Sequence, residues 1–287
     1  MRILFLFAVS LNAQPIDLKV AAVQFRSSFD IADNTTRIIA HLDKLAAAGV
    51  HVAAFPECAV TGYHTGPTFD ATPEQLEYAA TKIGQACARN RISAVVGSVY
   101  KINGRAYNVA LVYNEKGERI ERYGKLQLAG ERWATPGNHM ALFHLHGVPA
   151  TVIICHDERY PEFVRLPAIA GARVVYYISH ESGMKSEKKL PGYRAQMMAR
   201  AVENQMFAVA SNAPGNIADN SGSHGHSRII RDDGNILEEA SIYGEDVIVS
   251  TLQIKPGKLT RPLEGVTGAW WKQGLDQLLR DRTKQLD

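Results

Sequence analysis

Cysteine is scarce in this chain, since among 287 residues it occurs only at Cys58, Cys87 and Cys155. Three thiols cannot all pair, so at least one is free and a disulfide framework is not expected. An excess of one charge is lacking too, because the formal net charge is only +3 and no lysine- or arginine-rich block stands out. The electrostatic footprint of a nucleic-acid-binding protein is therefore missing. The sequence also lacks low-complexity segments and proline- or glycine-rich linkers, which favours a single domain.

What is present is the composition of an ordinary soluble globular protein, 46% hydrophobic and 21% charged. Residues 1–14 combine a basic start at Arg2, an apolar run over 3–11 and a cleavage-like stretch before Pro15. This pattern is typical of a signal peptide, although the apolar run is short and the cleavage region imperfect. The run is too short to span a bilayer. It slightly favours an exported or periplasmic protein over a cytoplasmic one with an extra strand or a mis-assigned start.

Hydrophobic periodicity predicts one domain over residues 15–287, with a helical extension at its C-terminal end. Thr72-Pro73-Glu74-Gln75 is typical of a capping box with proline at the first helical position, and Asn103-Gly104 predicts a hairpin turn. The predicted strands are 19–25, 52–55, 92–99, 106–113, a strand running to Tyr123, 151–154, 173–178, 206–210 and 246–252. The predicted helices are 34–48, 72–90, 163–170, 193–204 and 273–286.

Strands and helices alternate in the first and last thirds of the chain, and hairpins fill the middle. That mixture predicts an α/β (α+β) fold whose sheets carry helices on their outer faces. Two buried strands end at Glu57 and Cys155, which would place both side chains at one edge of the sheets. Ligands of α/β proteins gather at such strand ends.

Cys155, Glu57 and Lys125 are the candidate catalytic residues. Each has a simpler explanation when taken alone: a small buried hydrophobic residue, a solvated strand end and an ordinary loop lysine. Together they could catalyse a reaction. A free thiol with a pKa of ~8.5 is only a few per cent thiolate at pH 7, so a catalytic cysteine needs groups that activate it. Glu57 would accept the thiol proton, and Lys125 would favour the thiolate and then stabilise a developing oxyanion.

Three sequence blocks resemble the signature blocks of the nitrilase superfamily, the carbon–nitrogen hydrolases. The blocks are Phe55-Pro56-Glu57, Gly124-Lys125-x-x-Leu128 and Ile154-Cys155-x-Asp157-x-Arg159-Tyr160-Pro161-Glu162. They occur in the family's order and at its wide spacing. Residues 200–205 and 225–227 match as well, so the resemblance extends from about residue 19 to about residue 252.

The resemblance implies a role for each matching residue. Cys155 is similar to the family's nucleophile, Glu57 to its general base and Lys125 to its oxyanion-stabilising lysine. Glu131 is similar to a second glutamate that positions substrate and lysine. The backbone N–H of His156 would be the second oxyanion donor.

Further expectations follow from the same resemblance. Tyr63 matches a family aromatic near the pocket, although a packing role explains it equally well. The implied fold is a four-layer α-β-β-α sandwich, and the implied assembly is a homodimer or higher homo-oligomer formed through helices near the nucleophile. The implied reaction is acyl transfer through a cysteine thioester, with neither a metal nor an organic cofactor.

Departures from the family pattern bear on the substrate. Many members carry histidine where this chain has Gln127, and we expect little effect on the chemistry. True nitrilases usually have Cys-Trp-Glu at the nucleophile, whereas Cys155-His156-Asp157 is more like the amidase and carbamoylase branches. A small amide or N-carbamoyl compound is therefore favoured over a nitrile as substrate.

Two neighbouring residues and two rival functions remain open on the sequence alone. His180 and Glu181 follow a predicted strand and would line a polar substrate pocket, although a solvated loop explains them equally well. A papain-like hydrolase with a histidine base is one rival, weakened because that family's flanking residues are missing. A non-catalytic binding protein on the same fold is the other, and the intact set of Glu57, Lys125 and Cys155 argues against it.

Overall fold

The structure is a computed structural model, and it describes residues 14–63, 71–181, 190–216, 218, 221–255, 273 and 277. The signal peptide predicted over residues 1–14 therefore lies almost entirely outside the described part. Gln273 and Gln277 are helical, while the rest of the predicted C-terminal helix lies outside these ranges. None of the described helices is long and apolar enough to cross a membrane.

Fourteen strands, four α-helices and one 3₁₀ helix make up the described structure. The strands are β1 (Ile16–Gln24), β2 (Val52–Ala54), β3 (Ser93–Ile102), β4 (Arg105–Tyr113), β5 (Arg119–Gly124), β6 (Phe143–Leu145), β7 (Val148–Ile154), β8 (Val174–Ser179), β9 (Phe207–Asn212), β10 (Gly215–Asn216), β11 (Ser221–Gly222), β12 (Arg228–Ile230), β13 (Ile236–Glu239) and β14 (Asp246–Ile254). The helices are α1 (Ile31–Ala47), α2 (Pro73–Asn90), α3 (Glu162–Ile169) and α4 (Leu190–Asn204), and the 3₁₀ helix is Cys155–Arg159.

Two six-stranded sheets contain most of these strands. The first sheet has the order β14-β1-β2-β3-β4-β5, and the second has the order β13-β12-β9-β8-β7-β6. Strands β1, β2 and β3 run parallel, as do β7, β8 and β9. Parallel neighbours need a long crossover, and each of the four helices supplies one.

Side-chain alternation along the strands assigns the layers. Val20 and Ala22 of β1 pack into a core between the two sheets, while Ala21 and Val23 pack into a core beneath α1 and α2. A third core lies between the second sheet and helices α3 and α4. Strands buried on both faces explain the continuous apolar runs in the sequence. The predicted four-layer α-β-β-α sandwich is confirmed.

Local signals in the sequence explain where the first two helices begin. The Thr72 hydroxyl accepts from Gln75 N, and the Gln75 side chain accepts from Thr72 N, which is the predicted capping box of α2. Helix α1 begins three residues earlier than Asn34, because the Asp30 carboxylate accepts from the free backbone N–H groups of Ala32 and Asp33.

One local prediction was incomplete. The sequence predicted a single strand leading into Cys155, but a short hairpin precedes it, in which β6 pairs antiparallel with β7. The hairpin turns at His146 and Gly147, whose φ angles are +49° and +78°. A strand of three residues carries too little alternation to be recognised by its pattern.

The strand ends that matter for function meet at one edge of the sandwich. Strands β2 and β5 of the first sheet end just before Glu57 and Lys125. Strands β7 and β8 of the second sheet end just before Cys155 and His180. The two sheets therefore each contribute half of the candidate site.

Candidate active site

Lys125 lies fully buried between two carboxylates. Its Nζ is 2.8 Å from Glu57 Oε1 and also donates to Glu131 Oε1. All three side chains are sealed from solvent. Burial alone lowers the pKa of Lys125, but the charges of Glu57, Cys155 and Glu131 outweigh it and raise the pKa overall. The lysine is therefore a permanent cation, as an oxyanion partner must be.

Glu57 keeps one free acceptor position. Its Oε1 accepts from Lys125 Nζ and, at 2.7 Å, from Asn108 Nδ2, while its Oε2 accepts from the backbone N–H of His180 at 2.9 Å. An ionised carboxylate offers about four acceptor positions, so three are occupied and one remains on Oε2. A fixed carboxylate with one open position is suited to take a proton from a thiol.

Glu131 is held as an anion. Its Oε1 accepts from Lys125 and, at 3.3 Å, from the Tyr63 hydroxyl, and its Oε2 accepts from Ala129 N. Burial raises the pKa of this carboxyl. The Lys125 charge and the hydrogen bonds from Lys125 and Ala129 lower it by more, so the net shift is downward. Because the ionised Glu131 is itself fixed, its bond to Lys125 restricts the position of the lysine ammonium group.

Cys155 occupies the first position after β7, where the backbone turns sharply. Its φ of +46° lies in the left-handed region, which residues other than glycine rarely adopt. The residue is only partly buried, unlike Cys58 and Cys87, which are sealed inside the protein. A strained turn at the end of a rigid strand is a typical setting for a nucleophile.

Burial and, to a smaller extent, the Glu57 carboxylate raise the pKa of the Cys155 thiol well above its usual range. The Lys125 charge lowers that pKa as expected, but it does not outweigh the other two. Burial and the Glu57 charge therefore favour the protonated thiol in the free protein.

Asp157 fixes the turn that follows Cys155. Its carboxylate accepts from the Tyr123 hydroxyl at 2.7 Å, from Gln127 N at 2.8 Å and from Ile154 N at 3.1 Å. Burial raises its pKa to about 6 in spite of these bonds. Because Tyr123 and Gln127 flank Lys125, this residue links the lysine loop to the cysteine turn.

Tyr63 and His180 form a stacked pair over the buried cluster. Their ring centroids are 4.6 Å apart and the rings are tilted by only 8°. Burial, together with the Lys125 charge, lowers the pKa of His180 to about 4, so its ring is neutral near pH 7. In the described part of this loop, His180 is half-buried and Glu181 is buried, which argues against a solvated loop there.

Glu181 is also buried, and its Oε1 accepts from the Tyr177 hydroxyl at 2.8 Å. His156 is half-buried in the 3₁₀ helix, and its ring packs edge-on against Tyr160 at 5.9 Å. Burial and the Arg159 charge lower the pKa of His156. Its backbone N–H at the strained turn remains the expected second oxyanion donor.

Two positioning features were missed by sequence reasoning. Asn108 of β4 is buried and donates to Glu57, and a polar residue inside the apolar run 106–113 was the available signal. Gly97 of β3 lies directly beneath the Glu57 loop, since a Cβ added there would come within 2.1 Å of Pro56 O and 2.7 Å of Glu57 Cα. Nothing in the sequence around Gly97 marks this close approach.

The chain is similar to known proteins both in sequence and in fold. A family model described as carbon-nitrogen hydrolase matches residues 19–261. The chain is 28% identical over 254 residues to Nitrilase homolog 2 of Dictyostelium discoideum, covering 82% of this chain and 76% of that protein. It is 32% identical over 193 residues to the 2-oxoglutaramate amidase of Bacillus subtilis (strain 168), covering 66% and 73%. A double mutant of the amidase from Nesterenkonia sp. AN1 in complex with acrylamide has a TM-score of 0.75 at 23% identity, covering 82% and 90%.

The four-layer sandwich thus places a buried glutamate–lysine cluster beside a cysteine at a strand end. The chain belongs to the carbon–nitrogen hydrolase family, as its sequence blocks implied. It is an amidohydrolase that cleaves a carbon–nitrogen bond, and nitrile hydrolysis is not favoured.

Proposed function

We propose that this enzyme hydrolyses a small linear amide, with Cys155 as nucleophile, Glu57 as general base and Lys125 as oxyanion partner. The observation that supports this most strongly is the buried Lys125 cation, bonded to both Glu57 and Glu131. Burying three charges is costly unless they are paired and put to use, and a lysine so constrained is prepared for a new negative charge.

The first half of the proposed reaction forms a thioester. The thiol proton of Cys155 passes to Glu57 while the sulfur bonds to the amide carbonyl carbon. The carbonyl oxygen becomes an oxyanion, held by Lys125 Nζ and the backbone N–H of His156. Glu57 then gives its proton to the amide nitrogen, the carbon–nitrogen bond breaks, and ammonia or an amine leaves.

The second half regenerates the enzyme. Glu57 takes a proton from water, whose oxygen attacks the thioester carbon, and the oxyanion is again held by Lys125. The carbon–sulfur bond breaks, the proton returns to the sulfur, and a carboxylic acid leaves. The raised pKa of the Cys155 thiol fits this cycle, because proton transfer to Glu57 is then part of the attack itself.

The substrate class rests on the turn sequence and on the relatives. The name of one relative describes an amidase, and the similar solved structure is an amidase in complex with the amide acrylamide. N-carbamoyl compounds present the same carbonyl–nitrogen bond and remain a second candidate, favoured by the Cys155-His156-Asp157 turn. The polar residues His180 and Glu181 beside the cluster support a polar substrate.

Ammonia release across a panel of primary amides, N-carbamoyl amines and nitriles tests this proposal. We expect turnover of amides, with Cys155→Ala as the blank and Glu57→Gln reduced by at least about 100-fold, as for loss of a general base. Full activity of Glu57→Gln would support a papain-like mechanism instead. No release from any compound would support the rival non-catalytic binding protein.

We further propose that residues 15–287 form one catalytic unit that assembles as a homodimer through α3 and α4. These helices form the outer layer next to the nucleophile, and Leu166 on α3 is 47% exposed. Sedimentation velocity should report a dimer for the wild type and a smaller species for Leu166→Glu. A wild-type monomer at all concentrations would contradict this assembly.

A further inference from the structure

The last residue of β9, Asn212, is a buried amide that joins the end of this strand to two loops. Only 3% of the residue is exposed. Its Oδ1 accepts from Ser179 Oγ at 3.0 Å, from Glu181 N at 3.3 Å and from Ser223 Oγ at 2.8 Å. Its Nδ2 donates to Gly225 O at 2.8 Å. Both polar atoms of the side chain are therefore bonded to protein groups, which makes Asn212 a connector within the fold.

The loop before β12 fixes the orientation of the Asn212 amide. A flipped amide would turn its NH₂ group towards the N–H of Glu181 and its oxygen towards Gly225 O, and both bonds would be lost. The same loop also holds the backbone at the end of β9. Gly225 N donates to Ala213 O at 3.0 Å, and Ser227 Oγ accepts from Asn212 N at 3.0 Å. The side chain is thus anchored on one side before it reaches the active site.

On its other side, Asn212 holds the chain as it leaves β8. Ser179 and Asn212 are the last paired residues of the parallel strands β8 and β9. Ala213 N then donates to Ser179 O at 3.3 Å. Beyond that bond, the Asn212 side chain takes the place of a neighbouring strand and accepts from Glu181 N. The segment 179–181 is therefore attached to one side chain at both of its ends, with His180 between the two attachments.

The backbone N–H of His180 connects this segment to the catalytic cluster. It donates to Glu57 Oε2 at 2.9 Å, whereas Lys125 and Asn108 hold the other oxygen, Oε1. Rotation about the bond that carries a glutamate carboxylate is soft, so each hydrogen bond to the carboxylate narrows its orientation. The His180 N–H occupies one lone pair of Oε2, and the other lone pair is the position left for the thiol proton. The placement of His180 N therefore determines where that free position points.

We propose that Asn212 is a positioning residue for Glu57, and that it acts through the segment 179–181 and the backbone N–H of His180. This inference rests on the proposed role of Glu57 as general base. Asn212 belongs to the second sheet and Glu57 follows a strand of the first, so the connection crosses between the sheets at their strand ends. Because the polar atoms of Asn212 are bonded to protein groups, its loss should lower kcat and leave KM almost unchanged.

The variant Asn212→Ala removes both polar atoms of the side chain. We expect kcat for a primary amide to fall at least about tenfold, with KM within about twofold, because a misplacement of about 1 Å can cost about 100-fold. Ser223→Ala is the matched control, since it leaves Ser179 and Glu181 as donors to the two lone pairs of the amide oxygen. Ser223→Ala should keep kcat within about twofold. If Asn212→Ala had the same kcat as this control, the positioning role would be overturned.

A double-mutant cycle with Glu57→Gln separates positioning of the base from a general loosening of the fold. If Asn212 acts by orienting Glu57, Asn212→Ala should lower kcat by less than about twofold in the Glu57→Gln background, whereas independent effects would multiply. An undiminished loss in that background would overturn the inference and leave the proposed amidase function standing. Full activity of Glu57→Gln alone would instead remove the proposed general base, and the inference with it.

Ser179→Ala gives a milder test that does not require Asn212→Ala to fold. It removes only the hydroxyl that donates to Asn212 Oδ1 and leaves the buried amide in place. We expect kcat to fall at least about threefold, as for the loss of one hydrogen bond, and the fall to disappear in the Glu57→Gln background. Wild-type kcat in a Ser179→Ala protein with the wild-type urea midpoint would contradict the proposal that this segment holds Glu57.

Discussion

At the scale of single residues, Lys125 is held by two carboxylates inside the protein, with no exposed surface of its own. Lys125→Met removes the cation and leaves Glu57 and Glu131 facing each other across the vacated position. Removing one partner of a buried ion pair costs about 3–5 kcal/mol, because the remaining charge is uncompensated. We expect a loss of that size in urea unfolding and no measurable acyl-enzyme.

The matched control for this variant is an exposed lysine. Lys116 lies in the turn before β5 and is exposed. Lys116→Met should unfold within about 0.5 kcal/mol of the wild type. If Lys125→Met were as stable as this control, the buried charge cluster would not exist as described.

The buried ring of His180 should make the folding stability of the protein depend on pH. Burial and the Lys125 charge lower its pKa to about 4 from 6.5, so the unfolded chain binds a proton in this window that the folded ring does not. Stability from this residue is therefore present above about pH 6.5 and is lost as the pH falls towards 4. The loss should be about 2 kcal/mol between about pH 7.5 and about pH 5.

His180→Phe keeps the stacked ring on Tyr63 and removes the titration. Urea unfolding at the two pH values should show a smaller acid destabilisation for this variant than for the wild type. His144 is exposed, and His144→Phe is the matched control. If the wild type and His180→Phe lost the same folding stability between the two pH values, the His180 ring would not be held neutral in the folded protein.

Sequence reasoning reached some of these residues and not others, for a physical reason. Glu57, Lys125, Glu131 and Cys155 were found because each lies in a family block or at the end of a recognisable strand. The Asn108–Glu57 hydrogen bond depends on how β4 sits in the sheet, which brings together residues separated by 51 positions. Such a pairing depends on strand order and register, and neither can be derived from a single sequence.

At the scale of elements, β3 supports the Glu57 loop through the close approach of two backbones. A Cβ at Gly97 would lie 2.1 Å from Pro56 O and 2.6 Å from Cys58 N, and backbone atoms cannot yield as a flexible side chain can. Gly97→Ala should therefore displace Glu57 and lower kcat by at least about tenfold, because a misplacement of about 1 Å can cost about 100-fold.

Gly192 on α4 is the control for that substitution. It is exposed, and an added Cβ there would meet nothing within 4 Å. Gly192→Ala should keep the wild-type kcat. If Gly97→Ala also kept the wild-type kcat, the glycine would not be positioning Glu57, the proposed general base.

The strands themselves were largely predictable, whereas the hairpin of β6 was not. Buried parallel strands appear as continuous apolar runs, and the Thr72 capping box marks the start of α2. Strand β6 has only three residues, and its pairing with β7 comes from a turn through positive φ angles at His146 and Gly147. Histidine is enriched at positive φ, but His146 by itself does not mark a turn in the sequence.

At the scale of the whole molecule, the candidate active site spans the two sheets, so the core between them sets its geometry. Val152 of β7 is fully buried in that core, whereas the equally buried Val175 of β8 faces helices α3 and α4. Val→Ala at either position removes two methyl groups and should cost about 1–3 kcal/mol of stability. Only Val152→Ala should also lower kcat, because only it alters the packing that separates Cys155 from Glu57.

Urea unfolding and steady-state kinetics on the two variants separate these effects. Equal stability losses with unequal kcat values would support a site built across the interface between the sheets. Equal kcat values would indicate that the Cys155 turn is positioned independently of this core.

The central claim is that Cys155 forms a thioester with the acyl part of an amide and that Glu57 transfers the protons. Intact-protein mass spectrometry after rapid mixing with a primary amide measures this intermediate directly. We predict a mass increase equal to the acyl group on wild-type Cys155, none on Cys155→Ala, and a much slower increase on Glu57→Gln. An enzyme that releases ammonia at the wild-type rate after Cys155→Ala, or acylates elsewhere, would contradict the claim.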